Sequence, residues 1–341
     1  MSWLKNAWYQ AGWSSELEPG GKLSRTILEE PILFWRSTNG VITALFDRCP
    51  HRFAPLSAGR IADDVVTCGY HGLGFGRDGA CVVNPHAPIT SRMNVRSYPL
   101  EERHGALWIW MGEPDRADRA NIPDLTFIDE TPDSARIQLY MPTKAAYQLL
   151  ADNILDLSHA DYLHPDSLGG IMTGAKTTCR EIGDEIVIEW SSTDAVPPPA
   201  YRPMVPEGAN ADIWTRVAWS APALMVLATA ATMSGMPRTR DSEAWTLHNM
   251  VPETATTTHY FACSTRRFLV DDDSVSAMLR TALQHAFVNE DKWMLELQQR
   301  AVGTADFWSL QPILLPIDAG SVRARRKLEA MIAAEQTEVI S

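Results

Sequence analysis

The run RCPHRFAPLSAGRIADDVVTCGYHG, from Arg48 to Gly72, holds two cysteines and two histidines in two tight pairs: Cys49 with His51, and Cys68 with His71. Sixteen residues lie between His51 and Cys68, so the pattern is Cys-x-His, a spacer, then Cys-x-x-His. Two short loops, each offering one thiolate and one imidazole, can close on a single site. The softness of the donors restricts that site to zinc or an iron–sulfur cluster.

Structural zinc sites commonly pair Cys with Cys and His with His in each knuckle, whereas both loops here are mixed. A mixed pair on each loop suits a [2Fe–2S] cluster in which two thiolates hold one iron and two imidazoles the other, the Rieske arrangement. Zinc is the alternative. Five cysteines, behind an N-terminal segment whose apolar residues are interrupted by Lys5, Asn6, Gln10 and Ser14, read as reduced thiols of a cytoplasmic protein. Cys81, Cys179 and Cys263 stand outside the pattern and read as buried small residues.

A net charge of -12 and a pI near 5.2 offer no basic footprint for nucleic acid or for an anionic membrane surface. The longest apolar run, Ala221 to Met233, is well short of the ~20 residues of a spanning helix and reads as one or two buried strands. The expected fold class is α+β: an N-terminal all-β Rieske domain over 1–120, then a catalytic domain over 121–341 with helices on an antiparallel sheet. Asn39-Gly40 between two apolar stretches predicts a hairpin in the first part. In the second, Ala145 to His164 predicts one helix ended by Pro165, DDSVSAMLRTALQHAFVNEDKWMLELQQRAV a long helix, and the C-terminal residues a short charged one. Pro197 to Asn210 reads as a long loop over the active site.

A cluster domain alone leaves about two hundred residues unexplained. Within them, DNILDLSHADYLHP places Asn153, Asp156, His159 and His164 in an apolar segment. On an ideal helix His159 and His164 point about 140° apart, so both reach one ion only if the helix distorts or stops. Pro165 forces that stop, because the residue before proline is pushed out of the α region. Two histidines and one carboxylate make the facial triad of non-haem Fe(II) oxygenases, and the best distant carboxylate is Glu290 or Asp291 in FVNEDKWM.

With both motifs in one chain, the sequence resembles the Rieske non-haem iron oxygenases, and most closely the aromatic O-demethylase branch of vanillate, dicamba and toluenesulfonate oxygenase components. NAWYQAGW, LWIWMGEP, VPETATTTHYF, NEDKWMLELQQR and IDAGSVRARRKLE carry the resemblance from end to end. It implies that Cys49 and Cys68 hold one cluster iron, His51 and His71 the other, and His159, His164 and Asp291 a mononuclear iron. Asp156 would bridge a cluster histidine to an iron histidine across a subunit boundary, its carboxylate accepting from both imidazoles, with Asn153 near the iron. His248 stands at a substrate-contacting position, and Ala282 replaces the tryptophan that a dicamba-type enzyme presents to substrate.

The resemblance further implies a homotrimer, O2 and an aromatic substrate, and electrons from NADH delivered by a reductase bearing flavin and a ferredoxin-type cluster, since the chain has no Gly-rich dinucleotide fingerprint. The implied reaction is hydroxylation of a methoxy carbon with release of formaldehyde. Hydroxylation of a ring or aryl methyl group is the alternative reaction, and an electron carrier or a zinc-binding protein the non-catalytic ones.

Overall fold

Short antiparallel strands build the first of two units: β1 (Trp8–Trp13), β2 (Lys22–Ile27), β3 (Glu30–Arg36), β4 (Ile42–Phe46), β5 (Arg60–Ala62), β6 (Val65–Thr67), β7 (Gly74–Phe75), β8 (Cys81–Val83), β9 (Leu100–Arg103) and β10 (Ala106–Trp110). They form three small sheets, ordered β1-β10-β9, β2-β3-β4 and β5-β6-β7-β8. The Asn39-Gly40 signal holds: β3 and β4 pair with Trp35 opposite Thr43 and Arg36 opposite Ile42, and Gly40 takes the positive φ of 89° that the turn requires. Leu33, Trp35, Leu45, Leu56, Val66 and Phe75 pack into a buried cluster that also encloses Cys49 and Cys68.

The computed structural model describes residues 3–340 and divides the chain into a unit of Lys5–Asp124 and a second unit running from Leu125 onward, joined by Trp3 and Leu4. The second unit is built on a seven-stranded antiparallel sheet of β11 (Arg136–Thr143), β12 (Lys176–Ile182), β13 (Glu185–Ala195), β14 (Ala211–Ser220), β15 (Leu224–Met233), β16 (Glu243–Thr254) and β17 (Thr257–Arg266). Its order is β11-β17-β16-β15-β14-β13-β12, a meander whose first strand returns beside the last. The apolar run from Ala221 becomes β15, an interior strand of this sheet.

Around the sheet lie α1 (Thr126–Asp129), α2 (Tyr147–Leu155), α3 (Ala160–Leu163), α4 (Asp273–Gln284), α5 (Lys292–Val302) and α6 (Ala319–Ile340). Three helical expectations need correction. The helix expected over 145–164 breaks at Asp156, which adopts extended backbone (φ -131°, ψ 94°) and caps a separate 3-10 turn, Leu157–His159, by accepting from the Ser158 amide at 3.0 Å. Aspartate competes with the helix for backbone amides, and here the cap wins. The long later helix contains a π-helical turn, His285–Asp291, between α4 and α5. The C-terminal helix is 22 residues long rather than short. No helix among the described residues is long and apolar enough to cross a membrane.

Candidate metal centres and substrate cavity

The two cysteine loops repeat one geometry. The Cys49 amide donates to the Ala54 carbonyl and the Phe53 amide to the Cys49 carbonyl, both at 2.9 Å; the Cys68 amide donates to Leu73 and the Gly72 amide to Cys68, at 2.8 and 3.1 Å. The fourth residue after each cysteine takes a positive φ, 61° at Phe53 and 76° at Gly72, which turns each loop back on itself. The mixed pairs of the sequence are unmixed in space. Burial, with the neighbouring Cys68 thiol adding to it, pushes the Cys49 thiol up, while the His51 and His71 rings lie 4.5 Å apart.

Sulfur thus faces sulfur and imidazole faces imidazole. A single zinc ion needs all four ligand atoms around one point, but the only three-ligand convergence among the described residues is elsewhere in the chain. Segregated pairs fit a two-iron cluster with a thiolate iron and an imidazole iron.

That convergence is His159, His164 and Asp291, whose ligand atoms all lie within 4.8 Å of one another. Asp291 Oδ1 sits 3.5 Å from His159 Nε2 and 3.1 Å from His164 Nε2. The break at Asp156 and the non-helical backbone of His164 (φ -120°, ψ 45°), ahead of Pro165, remove the 140° divergence of an unbroken helix. On the other side, the π-helical turn ends at Asp291 and shifts its side chain from the register that an uninterrupted α-helix would impose.

The imidazoles are held from behind. His159 Nδ1 lies 2.6 Å from the Asp156 main-chain carbonyl and His164 Nδ1 lies 2.7 Å from Glu290 Oε2, so each Nδ1 donates and each Nε2 is left as the ligating atom. Asn153 Nδ2 donates to Asp291 Oδ1 at 3.1 Å. Burial would raise the Asp291 carboxyl, but His159 and His164, when they carry a proton at Nε2 and no metal is bound there, outweigh it by hydrogen bonds and charge and hold it down at about 2. Glu290, the alternative carboxylate, is thereby a partner of His164 and not a member of the triad. The Asp156 carboxylate does not take the His159 proton as expected; its main-chain carbonyl does, because the cap turns the side chain toward Ser158. Two imidazoles and one carboxylate on one side of a point, with a cavity on another, fit Fe(II).

The cavity beside the triad encloses about 130 Å³, close to the ~150 Å³ that suffices for benzene in an apolar protein site. Tyr201 and Met204, from the expected loop, line it together with Leu279, Leu283 and Phe287. Ala282 does not: residues 279, 283 and 287 recur at a helical spacing of four, and Ala282 lies about 100° round from Leu283.

His248 does line the cavity and is 1 % exposed. Tyr260 Oη lies 2.6 Å from its Nδ1, and Nε2 is buried with no partner among the described residues. Burial lowers the His248 pKa to about 4 and raises Tyr260 well above its ordinary value, so a neutral imidazole meets a protonated phenol. With Tyr260 donating to Nδ1, Nε2–H is the donor offered to the cavity. Sequence reasoning passed over Tyr260, Glu290's role and Arg266 on the cavity wall; the inward period-two positions of β17, Tyr260, Ala262, Ser264 and Arg266, were the available signal.

Comparison with known proteins agrees with this geometry. Residues 7–99 match the Rieske [2Fe-2S] domain and residues 143–334 the vanillate O-demethylase oxygenase C-terminal domain. The chain belongs to the Rieske non-haem iron oxygenases, and its N-terminal unit is the [2Fe–2S] domain of an oxygenase component. More particularly, it is 34 % identical to the dicamba O-demethylase oxygenase component of Stenotrophomonas maltophilia, over 97 % of this chain and 98 % of that one. The chloroacetanilide N-alkylformylase oxygenase component of Rhizorhabdus wittichii is 33 % identical over 97 % and 96 %. Crystalline dicamba monooxygenase bound to 3,6-dichlorosalicylic acid superposes with a TM-score of 0.90 at 33 % identity, covering 98 % of this chain and 99 % of that chain.

Proposed function

We propose that this chain is the terminal oxygenase of an aromatic O-demethylase, taking electrons from NADH through a flavin and ferredoxin-type iron–sulfur reductase. The observation that carries the reading is a ring-sized, largely apolar cavity that ends on His159, His164 and Asp291. Cys49, Cys68, His51 and His71 would hold the cluster, and His159, His164 and Asp291 the mononuclear iron. When bound, these groups supply single electrons and the activation of O2 for attack on a C–H bond.

The protein's own residues supply position and dryness. Leu279, Leu283 and Phe287 confine the ring and exclude water, while His248 Nε2–H orients a substrate oxygen. Glu290, Asn153 and the Asp156 carbonyl hold the triad in place. A methoxy carbon hydroxylated in this cavity becomes a hemiacetal, which collapses to a phenol and formaldehyde; O2, NADH and a proton are consumed, and water and NAD+ complete the balance.

A homotrimer follows from the same reading. Asp156 Oδ1 is engaged by Ser158, leaving Oδ2 for an imidazole of the partner subunit's cluster. The groove holding Asp156 and His159 also carries Ile313, 89 % exposed, and Tyr162 nearby in sequence is 77 % exposed, an apolar surface of the kind a subunit contact covers. Similarity to the toluene-4-sulfonate monooxygenase iron–sulfur subunit of Comamonas testosteroni, 34 % identical, supports aryl-methyl hydroxylation as a second reading. Formaldehyde release under air, with NADH and a surrogate reductase, across methoxylated and methylated aromatic acids separates the two. Formaldehyde in step with substrate loss establishes demethylation; a benzylic alcohol without formaldehyde replaces it with methyl hydroxylation.

A further inference from the structure

A buried positive charge stands on the cavity wall with no carboxylate within ion-pair distance among the described residues. Arg266 ends β17, is 2 % exposed, and lines the cavity. Its Nη2 donates to the Leu269 and Asp272 carbonyls at 3.0 and 3.3 Å and to Ser276 Oγ at 2.7 Å; Nη1 lies 3.5 Å from the Ser134 carbonyl. All four acceptors are neutral. Nε is buried and has no partner among the described residues. Burial disfavours the charge, and Asp272 offsets this only from a distance, its carboxylate being engaged by the amides of Ser274 and Val275 at 2.9 and 3.1 Å. A guanidinium stays protonated at physiological pH, so its desolvation is left partly uncompensated.

The strand register says where this charge lies. Ala244 pairs with Arg266, Thr246 with Ser264 and His248 with Ala262. Alternate residues share a face, so Arg266 and His248 look into the same cavity, four residues apart along the strands, or roughly 13 Å. Between them Thr246 Oγ1 donates to Ser264 Oγ at 3.2 Å. The His248 end is the metal end: its ring lies 5.6 Å from that of Phe287, one helical turn before Asp291. The far end belongs to Arg266, with Phe268 and Leu279.

We propose that Arg266 is the anion anchor of the substrate cavity, binding through Nε–H a carboxylate or sulfonate placed para to the group that reacts at the His159–His164–Asp291 end. The proposal rests on the reading of this cavity as the substrate site and adds the polarity of the substrate within it. A single ring reaches both ends only with its two substituents on opposite sides. The anion would supply the counter-charge that the fold withholds, and a charge-assisted bond from guanidinium to carboxylate is strong and directional. A purely structural Arg266, tying residues 269–272 to the sheet, makes a different forecast: its loss would weaken every ligand alike.

The test is equilibrium binding by calorimetry to the anaerobic, metal-loaded enzyme, using 4-methoxybenzoate, 2-methoxybenzoate and the uncharged 4-methoxybenzamide. The wild type should bind the para acid about tenfold or more tightly than either comparator. Arg266→Met should bring the acid-to-amide ratio to about one, and Arg266→Lys should keep part of the preference. A wild-type ratio near one, or an unchanged ratio in Arg266→Met, overturns the proposal. If Arg266→Met does not fold, as judged by its circular dichroism, the wild-type para/ortho and acid/amide ratios decide alone. Selective binding without formaldehyde from any methoxy arene would remove the demethylase reading and leave Arg266 standing; formaldehyde with a flat binding ratio would do the reverse.

Discussion

Asp291 is the residue on which the second centre turns, because it is buried, ionised, and contacted by His159, His164 and Asn153 at once. Asp291→Ala should lower bound iron from about three to about two per chain while the visible absorption of the cluster persists; three irons in that variant would move the ligand elsewhere. Glu290 acts one step back, through His164 Nδ1. Glu290→Gln should weaken mononuclear iron binding by about 10–100-fold, read by anaerobic Fe(II) titration, with the cluster unaffected. Unchanged affinity would show that His164 needs no carboxylate behind it.

Among the elements, the segment after His164 depends on one carboxylate. Asp161, on α3, accepts the amides of Gly170, Ile171, Met172 and Thr173, and Met172 lines the cavity. Burial would raise this carboxyl, but the Thr173, Met172 and Gly170 bonds outweigh it and hold the pKa below the ordinary aspartate value. A depressed folded pKa stabilises fully above the unfolded value of about 3.9 and fades as pH falls through the folded one. Asp161→Ala should therefore cost about 1–3 kcal/mol near neutral pH, seen as faster hydrogen exchange at residues 170–173, and the difference from wild type should shrink only in strong acid. Equal exchange at neutral pH would mean that the segment is held by packing instead. The π-helical turn and the break at Asp156 follow the same logic, since each gives up regular helix to aim a ligand.

For the whole molecule, the decisive question is how a cluster in one unit serves a triad in the other. If the proposed trimer forms, light scattering should give about three times the monomer mass of 37.9 kDa. Asp156→Ala should keep that mass and both metals while turnover falls by at least about tenfold, because the carboxylate that would receive the partner cluster's imidazole is gone while the main-chain carbonyl behind His159 remains. Full turnover in a metal-loaded Asp156→Ala trimer would dispose of the bridge.

What the sequence determined by itself is local chemistry. The spacing of Cys49, His51, Cys68 and His71, the Asn39-Gly40 turn, and the stop at Pro165 all act over a few residues, where steric and donor rules operate without knowledge of the fold. Tertiary structure decided everything that converges from afar. It paired thiol with thiol across two mixed loops, and it brought Asp291 to His164 over 127 positions while setting Glu290 behind it. It gave the His159 proton to a carbonyl instead of a carboxylate, and put Arg266, not Ala282, on the cavity wall. Neighbouring residues face opposite ways on a strand and about 100° apart on a helix, so a ligand's identity is settled only when packing fixes which face meets the site.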